Sequence, residues 1–206
     1  MLWRSVLITL VLVGVAIVMW WWLRPTMIKN FPSQNTGSIV FFGDSLVEGV
    51  GASAGQDMPS QLTRALGMPV LNYGVAGDTT IDGLARLDQA LEEKPKLAIV
   101  LLGGNDFLRK IDRTTTANNL EAITNAFHNE GSVVLLLGVR SGIIGGGADE
   151  LFEGVAEKTG AAYEEDVLKG VFGNPSLMSD AIHPNAMGYT KIVERLLPAV
   201  RELIGQ

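Results

Sequence analysis

The sequence predicts an α/β sandwich that follows an apolar N-terminal segment. Short apolar runs alternate with amphipathic stretches, which is the pattern of parallel strands joined by crossover helices. All but the last of these runs are continuously apolar, as strands buried on both faces of a sheet are. About 170 residues remain after the N-terminal segment, enough for one domain with a continuous core and a cleft.

Strands and helices alternate along this part of the chain. The predicted strands are 38–42, 69–73, 97–102, 132–138 and a weaker one at 161–163. The predicted helices are 56–66, 81–93, 114–129, 148–158 and 185–203. In such a sheet a ligand lies beyond the carboxyl ends of the strands. Functional residues are therefore expected in the polar stretches that directly follow strands.

The N-terminal segment has the length and composition of a membrane anchor. Residues 5–23 carry no charge, and a helix of that length, at about 1.5 Å per residue, nearly crosses a hydrocarbon core of about 30 Å. Trp20, Trp21 and Trp22, followed by Arg24 and Pro25, resemble an interfacial aromatic belt with a helix stop.

We expect residues 1–24 to be a transmembrane anchor, residues 25–37 a tether, and residues 38–206 an outward-facing, periplasmic domain. The alternative is a signal peptide that is cleaved before secretion. A cleavage site of the small-x-small type is absent from the sequence, which favours the anchor.

Charge and composition exclude several classes of function. Residues 1–37 carry three basic residues and no acid, so the rest of the chain has a net charge of about −9. An acidic body without a basic stripe argues against nucleic acid as a partner. The chain has no cysteine and only two histidines, His128 and His183, which argues against thiolate and multi-histidine metal sites. His128 is predicted to be solvated at the polar end of a helix.

Ser45 is the candidate nucleophile, because it follows the first strand in a glycine-bearing loop that exposes its hydroxyl at the edge of the sheet. A serine hydroxyl needs a base to take its proton, and the base needs an orienting acid. His183 and Asp180, three residues apart, could supply both. The stretch 43–46 does not fit the G-x-S-x-G elbow of α/β-hydrolases. The alternatives are a capping serine and a structural turn histidine.

Acyl transfer also needs donors for the negative charge that develops on the carbonyl oxygen. The backbone N–H of Ser45, the backbone N–H of Gly77 and the side-chain amide of Asn105 are candidates. Gly77 lets the backbone approach closely because it has no side chain. An ordinary tight-turn glycine and an ordinary loop asparagine are the alternatives.

Four short motifs occur in order: GDSL at 43–46, AGDT at 76–79, GGND at 103–106 and DAIHPN at 180–185. Together they resemble the four blocks of the SGNH, or GDSL, hydrolases, and the resemblance covers residues 38 to about 199. The stretches 76–80 and 83–87 are similar to those of the bacterial thioesterase-I, arylesterase and lysophospholipase type.

The resemblance implies a three-layer α/β/α sandwich with a flavodoxin-like five-stranded parallel sheet of order 2-1-3-4-5. It implies no cofactor, and hydrolysis of small-molecule or lipid esters, or thioesters, through an acyl-serine. Carbohydrate O-acetylesterases share the same blocks, so this activity is a second hypothesis. A tethered binding module without activity is a third.

The stretch 141–147, after the fourth strand, departs from the family pattern because it is rich in glycine. Phe107, Leu108, Ile143 and Ile144 are the candidates for contact with the substrate. Three acids that follow strands could suggest a metal site, but we expect them to bind loop amides and shape the turns. They are Asp44, Asp78 and Asp106.

Overall fold

The computed structural model describes residues 13–14, 27–139 and 148–206. Apart from 13–14, the predicted anchor lies outside the described residues, and so do Ile143 and Ile144. Within the described ranges, no helix has both the length and the apolar character needed to cross a membrane. The predicted anchor therefore stays a prediction.

Five parallel strands form one sheet, in the order β2-β1-β3-β4-β5. The strands are β1 Ile39–Gly43, β2 Val70–Gly74, β3 Leu97–Leu101, β4 Val133–Leu137 and β5 Ala162–Glu164. Every residue of β1, β3 and β4 is buried, so both faces of the sheet are covered. The predicted strands and their order are confirmed, with ends that differ by one residue or so.

Helices pack in two groups on this sheet. They are α1 Ser45–Glu48, α2 Met58–Leu66, α3 Thr80–Ala85, α4 Leu87–Leu91, α5 Gly104–Leu108, α6 Arg113–Asn129, α7 Ala148–Thr159 and α8 Ala186–Ile204. Helix α2 packs against α8, while α6 packs against α3 and α7. Polar caps begin the longer helices: Asp57 accepts from Ser60 N at 2.8 Å and Asn185 accepts from Gly188 N at 3.1 Å.

Two features of the helices differ from the prediction. The single helix predicted at 81–93 is two helices, because α3 ends at Ala85, Arg86 has a non-helical conformation, and α4 begins at Leu87. Helices α1 and α5 were not predicted, since four or five residues are too few to show a helical period. Both follow strands directly, at the edge where functional residues are expected.

Residues 27–37, here called the strap, run along the edge at which the strands begin. The Lys29 N–H donates to the Gly160 carbonyl at 2.8 Å. Asn30 Nδ2 donates to the carbonyls of His128 and Ser132 at 2.7 and 2.9 Å. These carbonyls precede β5 and β4. The described part of the predicted tether is thus held against the body of the protein.

His128 is buried, with 3% of its surface exposed, so the prediction that it is solvated is wrong. It lies in the last turn of α6, next to the strap, and its Nδ1 is 3.2 Å from the Ser132 carbonyl oxygen. Burial lowers the pKa of the imidazole. The polar sequence around His128 suggested a helix end in water, but the strap covers that end.

Candidate active site

Ser45 is the first residue of α1, directly beyond the carboxyl end of β1, which lies between β2 and β3 in the sheet. The turn between β1 and α1 is tight, since a side chain at Gly43 would overlap the Leu101 carbonyl. Asp44 caps the helix by accepting from Leu46 N at 3.0 Å. Gly49 ends α1 in a left-handed conformation, with φ +98°. This strand–turn–helix unit holds the Ser45 hydroxyl at the edge of the sheet.

His183 is fixed by a turn that begins at Asp180. One carboxylate oxygen of Asp180 accepts from the backbone N–H groups of Ile182 and His183 at 2.8 and 2.7 Å. The other oxygen lies 2.8 Å from His183 Nδ1. The His183 carbonyl in turn accepts from Ser179 N at 2.8 Å. The acid therefore orients both the backbone and the ring of the histidine.

The two loops meet, because His183 Nε2 lies 3.0 Å from Ser45 Oγ. With Nδ1–H donating to Asp180, Nε2 carries a lone pair that can accept the Ser45 proton. Hydrogen bonds from His183 N, then from its ring, then from Ile182 N lower the pKa of Asp180 to about 2. Asp180 is thus ionised at neutral pH and can stabilise an imidazolium beside it.

Ser45, Gly77, Asn105 and His183 line one cavity of about 220 Å³. Gly77 has φ +86°, a left-handed conformation that favours glycine. Its carbonyl accepts from Arg109 Nη2 at 2.7 Å. The structure therefore brings together the serine, the histidine and the residues predicted to hold an oxyanion.

The Asn105 amide is oriented by protein contacts. Asn105 Nδ2 donates to the Asp78 carbonyl at 2.9 Å and lies 3.4 Å from Asp44 Oδ2. Asp44 is 4% exposed, and burial raises its pKa to about 7, partly opposed by the hydrogen bond from Leu46 N. A carboxyl group that titrates near neutrality therefore lies beside the candidate nucleophile and the amide.

The three acids that follow strands each have their own protein partner. Asp44 accepts from the N–H of Leu46 in helix α1 rather than from a loop amide, and Asp106 accepts from Thr80 N, in helix α3, at 2.8 Å. Asp78 instead pairs with the Arg86 guanidinium, at 2.5 Å from Nε. In the part of the chain that the structure describes, no group of three or more His, Cys, Asp or Glu could hold a metal ion.

Apolar side chains form most of the remaining cavity wall. They are Leu46, Val50, Ala76, Leu108, Val139 and Ile182. Leu108 was a predicted substrate contact. Phe107 was another, but it is absent from the described lining and packs against Phe152, with ring centroids 6.3 Å apart.

The sequence reasoning did not predict five of these lining residues as substrate contacts, although four of them carry a positional signal. Leu46 directly follows Ser45, and Ala76 directly precedes Gly77. Val139 is the second residue after the carboxyl end of β4, and Ile182 directly precedes His183. Val50 gives no such signal. It reaches the cavity because its N–H donates to the Ser45 carbonyl at 3.0 Å where α1 ends.

A parallel α/β sheet with a serine, a histidine and an aspartate joined at its carboxyl edge defines a serine hydrolase. Residues 41–191 match the GDSL-like Lipase/Acylhydrolase family model. The chain belongs to this family of ester hydrolases, as the four motifs predicted.

Relatives of known name support the same class. Esterase TesA of Pseudomonas aeruginosa is 31% identical over 179 residues, which cover 81% of this chain and 89% of that protein. Thioesterase 1/protease 1/lysophospholipase L1 of Escherichia coli strain K12 is 27% identical over 187 residues, covering 86% and 90%. A crystal structure of TesA superposes with a TM-score of 0.76 at 31% identity, covering 81% of this chain and 99% of that one.

Proposed function

We propose that the protein hydrolyses acyl esters and thioesters with Ser45 as nucleophile, His183 as general base and Asp180 as the orienting acid. The observation that carries this proposal is the continuous contact from Ser45 Oγ to His183 Nε2 at 3.0 Å and from His183 Nδ1 to Asp180 at 2.8 Å. Ser45 Oγ attacks the acyl carbonyl while His183 takes the hydroxyl proton. The imidazolium then protonates the leaving alcohol or thiol, and water releases the acyl group by the same two steps.

The tetrahedral intermediate carries a negative oxygen, which needs donors that are already in position. We assign this role to the N–H groups of Ser45 and Gly77 and to the side-chain amide of Asn105. Their support is that all three residues line the cavity that His183 also lines. In the free enzyme the Asn105 amide donates to the Asp78 carbonyl, which keeps the side chain from turning away.

The assignment is tested by Ser45→Ala, assayed with a p-nitrophenyl ester and with a fluorophosphonate that labels activated serines. Turnover should fall by several orders of magnitude and labelling should disappear. Ser53→Ala, at an exposed serine outside the cavity lining, is the control and should behave as wild type. Turnover retained in Ser45→Ala would overturn the mechanism.

We propose that acyl groups of medium or long chain are preferred. The volume of the cavity, about 220 Å³, is far more than the 10–15 Å³ or so that one water molecule needs. Apart from the polar side chains of the site, most of the cavity wall is apolar. The relatives named esterase, thioesterase and lysophospholipase support this substrate class. The second candidate, carbohydrate O-acetylesterase activity, predicts turnover of acetyl esters alone. Rates for acetyl to dodecanoyl p-nitrophenyl esters separate the two.

We propose that residues 1–24 anchor the chain in a membrane with the hydrolase domain on the outer, periplasmic side. The uncharged run at 5–23 supports an anchor. The strap is held where the strands begin, whereas Ser45 and Asn105 follow strand ends about 16 Å away along five-residue strands. In this arrangement the cavity opens away from the anchored end.

The topology can be tested with a single cysteine, because the chain has none of its own. Gln206→Cys lies at an exposed terminus after α8. A membrane-impermeant maleimide should label it on intact cells after removal of the outer membrane. Labelling only after lysis would overturn the outward orientation. Recovery of the labelled protein in the soluble fraction would indicate the alternative, a cleaved signal peptide.

A further inference from the structure

Arg86 lies between α3 and α4, and its guanidinium contacts three separate segments. Nε pairs with Asp78 Oδ2 at 2.5 Å, Nη1 donates to the Tyr73 carbonyl at 3.0 Å, and Nη2 donates to the Gly43 carbonyl at 2.8 Å. The side chain is only 19% exposed, and its carbon Cζ lies 4.4 Å from the centre of the Phe42 ring. The N–H groups of the guanidinium that make these contacts all point into the protein.

The contact with Asp78 restrains two of the three proposed oxyanion donors, the Gly77 N–H and the Asn105 amide. Asp78 follows Gly77 in the chain, so the ion pair with Arg86 restrains the loop that carries the Gly77 N–H. The Asp78 carbonyl also accepts from Asn105 Nδ2 at 2.9 Å. A displacement of Asp78 would therefore move the Gly77 N–H and release the Asn105 amide.

The contact with the Gly43 carbonyl restrains the segment that carries the third proposed donor, the Ser45 N–H. Gly43 is the last residue of β1, two positions before Ser45. Its carbonyl accepts from Arg86 Nη2 at 2.8 Å and from Val75 N at 3.0 Å. The guanidinium thus ties the strand end that precedes the Ser45 N–H to the segment that leads to Gly77. Arg86 itself is not among the described residues that line the cavity.

We propose that Arg86 is a positioning residue that sets the spacing of the three oxyanion donors, an inference that rests on the mechanism proposed above. Oxyanion donors act within about 2.7–3.1 Å of the charged oxygen, and a misplacement of about 1 Å can cost a hundredfold in rate. The guanidinium is planar, permanently charged and able to donate in several fixed directions. A lysine ammonium at this position could keep the ion pair with Asp78 but could not make all three contacts at once.

The test compares Arg86→Lys and Arg86→Met with wild type in the full-length chain. Both variants should lower kcat, by about 10-fold for lysine and about 100-fold for methionine, with KM changed less than about threefold. Affinity for an alkyl boronic acid, which forms a tetrahedral adduct with the serine, should fall in proportion to kcat/KM. The pH dependence of the rate should keep its midpoints, because Arg86 does not contact the His183–Asp180 pair.

Arg195→Met is the matched control, because Arg195 has the same chemistry at a different place. It lies on α8, is 26% exposed, and donates to the carbonyls of Lys169 at 2.6 Å, Asp166 at 2.9 Å and Val167. Those carbonyls follow β5 and lie outside the described cavity lining. The control should lose thermal stability to a similar extent and keep the wild-type kcat and boronate affinity.

Two results would overturn the proposal. One is an Arg86→Lys variant, folded by circular dichroism, whose kcat/KM stays within about twofold of wild type. The other is a fall in kcat without any fall in boronate affinity, which would place the defect outside the oxyanion donors. If Arg86→Met does not fold, Arg86→Lys and Asp78→Asn carry the same measurements. Failure of the proposed mechanism is recognised separately, by Ser45→Ala that remains active.

Discussion

The Ser45 hydroxyl lies 3.0 Å from His183 Nε2, although the two residues are 138 positions apart in the chain. Each reaches this point from its own short structure. Ser45 begins a helix after strand β1, and His183 ends a turn that begins at Asp180. The turn is also joined by an antiparallel bridge between Met178 and Pro184. Proton transfer therefore depends on two locally rigid units that pack against each other.

Asp180→Ala should reduce kcat by about 100- to 10,000-fold while the chain still folds, because the ring of His183 loses its orienting partner. Steady-state kinetics with a p-nitrophenyl ester measure the loss. The control is Asp88→Asn, an exposed acid in α4. Wild-type kcat in Asp180→Ala would contradict the orienting role.

The lowered pKa of Asp180 predicts how the free energy of unfolding changes with pH. The pKa of Asp180 is lowered from 3.8 to about 2 in the folded protein. Its contribution to the free energy of unfolding is thus complete above about pH 4 and is lost as the pH falls towards about 2. The contribution is small, because 53% of the side chain is exposed. Urea unfolding of wild type and Asp180→Ala should converge over that pH range.

Asp44→Asn should show the opposite pH dependence. The pKa of Asp44 is raised from 3.8 to about 7 by burial, so the folded state holds a proton that the unfolded state has lost. Wild type should therefore lose stability relative to Asp44→Asn by about 3 kcal/mol as the pH rises from about 5 to about 8. Urea unfolding at several pH values measures this difference. Parallel stability curves for the two proteins would contradict the raised pKa.

Leu108→Ala should weaken the use of long acyl chains selectively. Leu108 lines the cavity and is 47% exposed, so its loss removes apolar contact with a chain that extends outward. The KM for an octanoyl ester should rise by about 3- to 10-fold, while that for an acetyl ester stays unchanged. Leu84→Ala, at an exposed leucine of α3, is the control. Equal effects on both esters would place the acyl chain elsewhere.

Asn30→Ala should lower the free energy of unfolding by about 2 kcal/mol without a change in kcat. The side chain donates two hydrogen bonds to backbone carbonyls, each contributing about 1 kcal/mol, at the edge of the sheet opposite the cavity. Chemical denaturation and kinetics on the same preparation give both quantities. Gln34→Ala, at an exposed strap residue, is the control. An unchanged stability would mean that the strap does not hold the body in solution.

Much of the fold could be predicted because parallel strands buried on both faces are continuous apolar runs. The stretches at β1, β3 and β4 have this property, and their positions were predicted to within a residue or so. Order and spacing of the four motifs were enough to name the family and to select Ser45, Gly77, Asn105 and His183, which line one cavity. Local composition carries this information because burial on both sides of a strand demands apolar side chains at every position.

Other features depended on packing between distant parts of the chain. His128 is buried because the strap, about a hundred positions earlier, crosses the end of its helix. Leu108 rather than Phe107 faces the cavity, because only tertiary packing selects the inward face of a five-residue helix. In the sequence Arg86 is one polar residue of an amphipathic stretch, and its role is visible only when the fold brings its three partners together. Periodicity along a chain records burial, whereas the partner of a given polar atom is decided only when the segments meet.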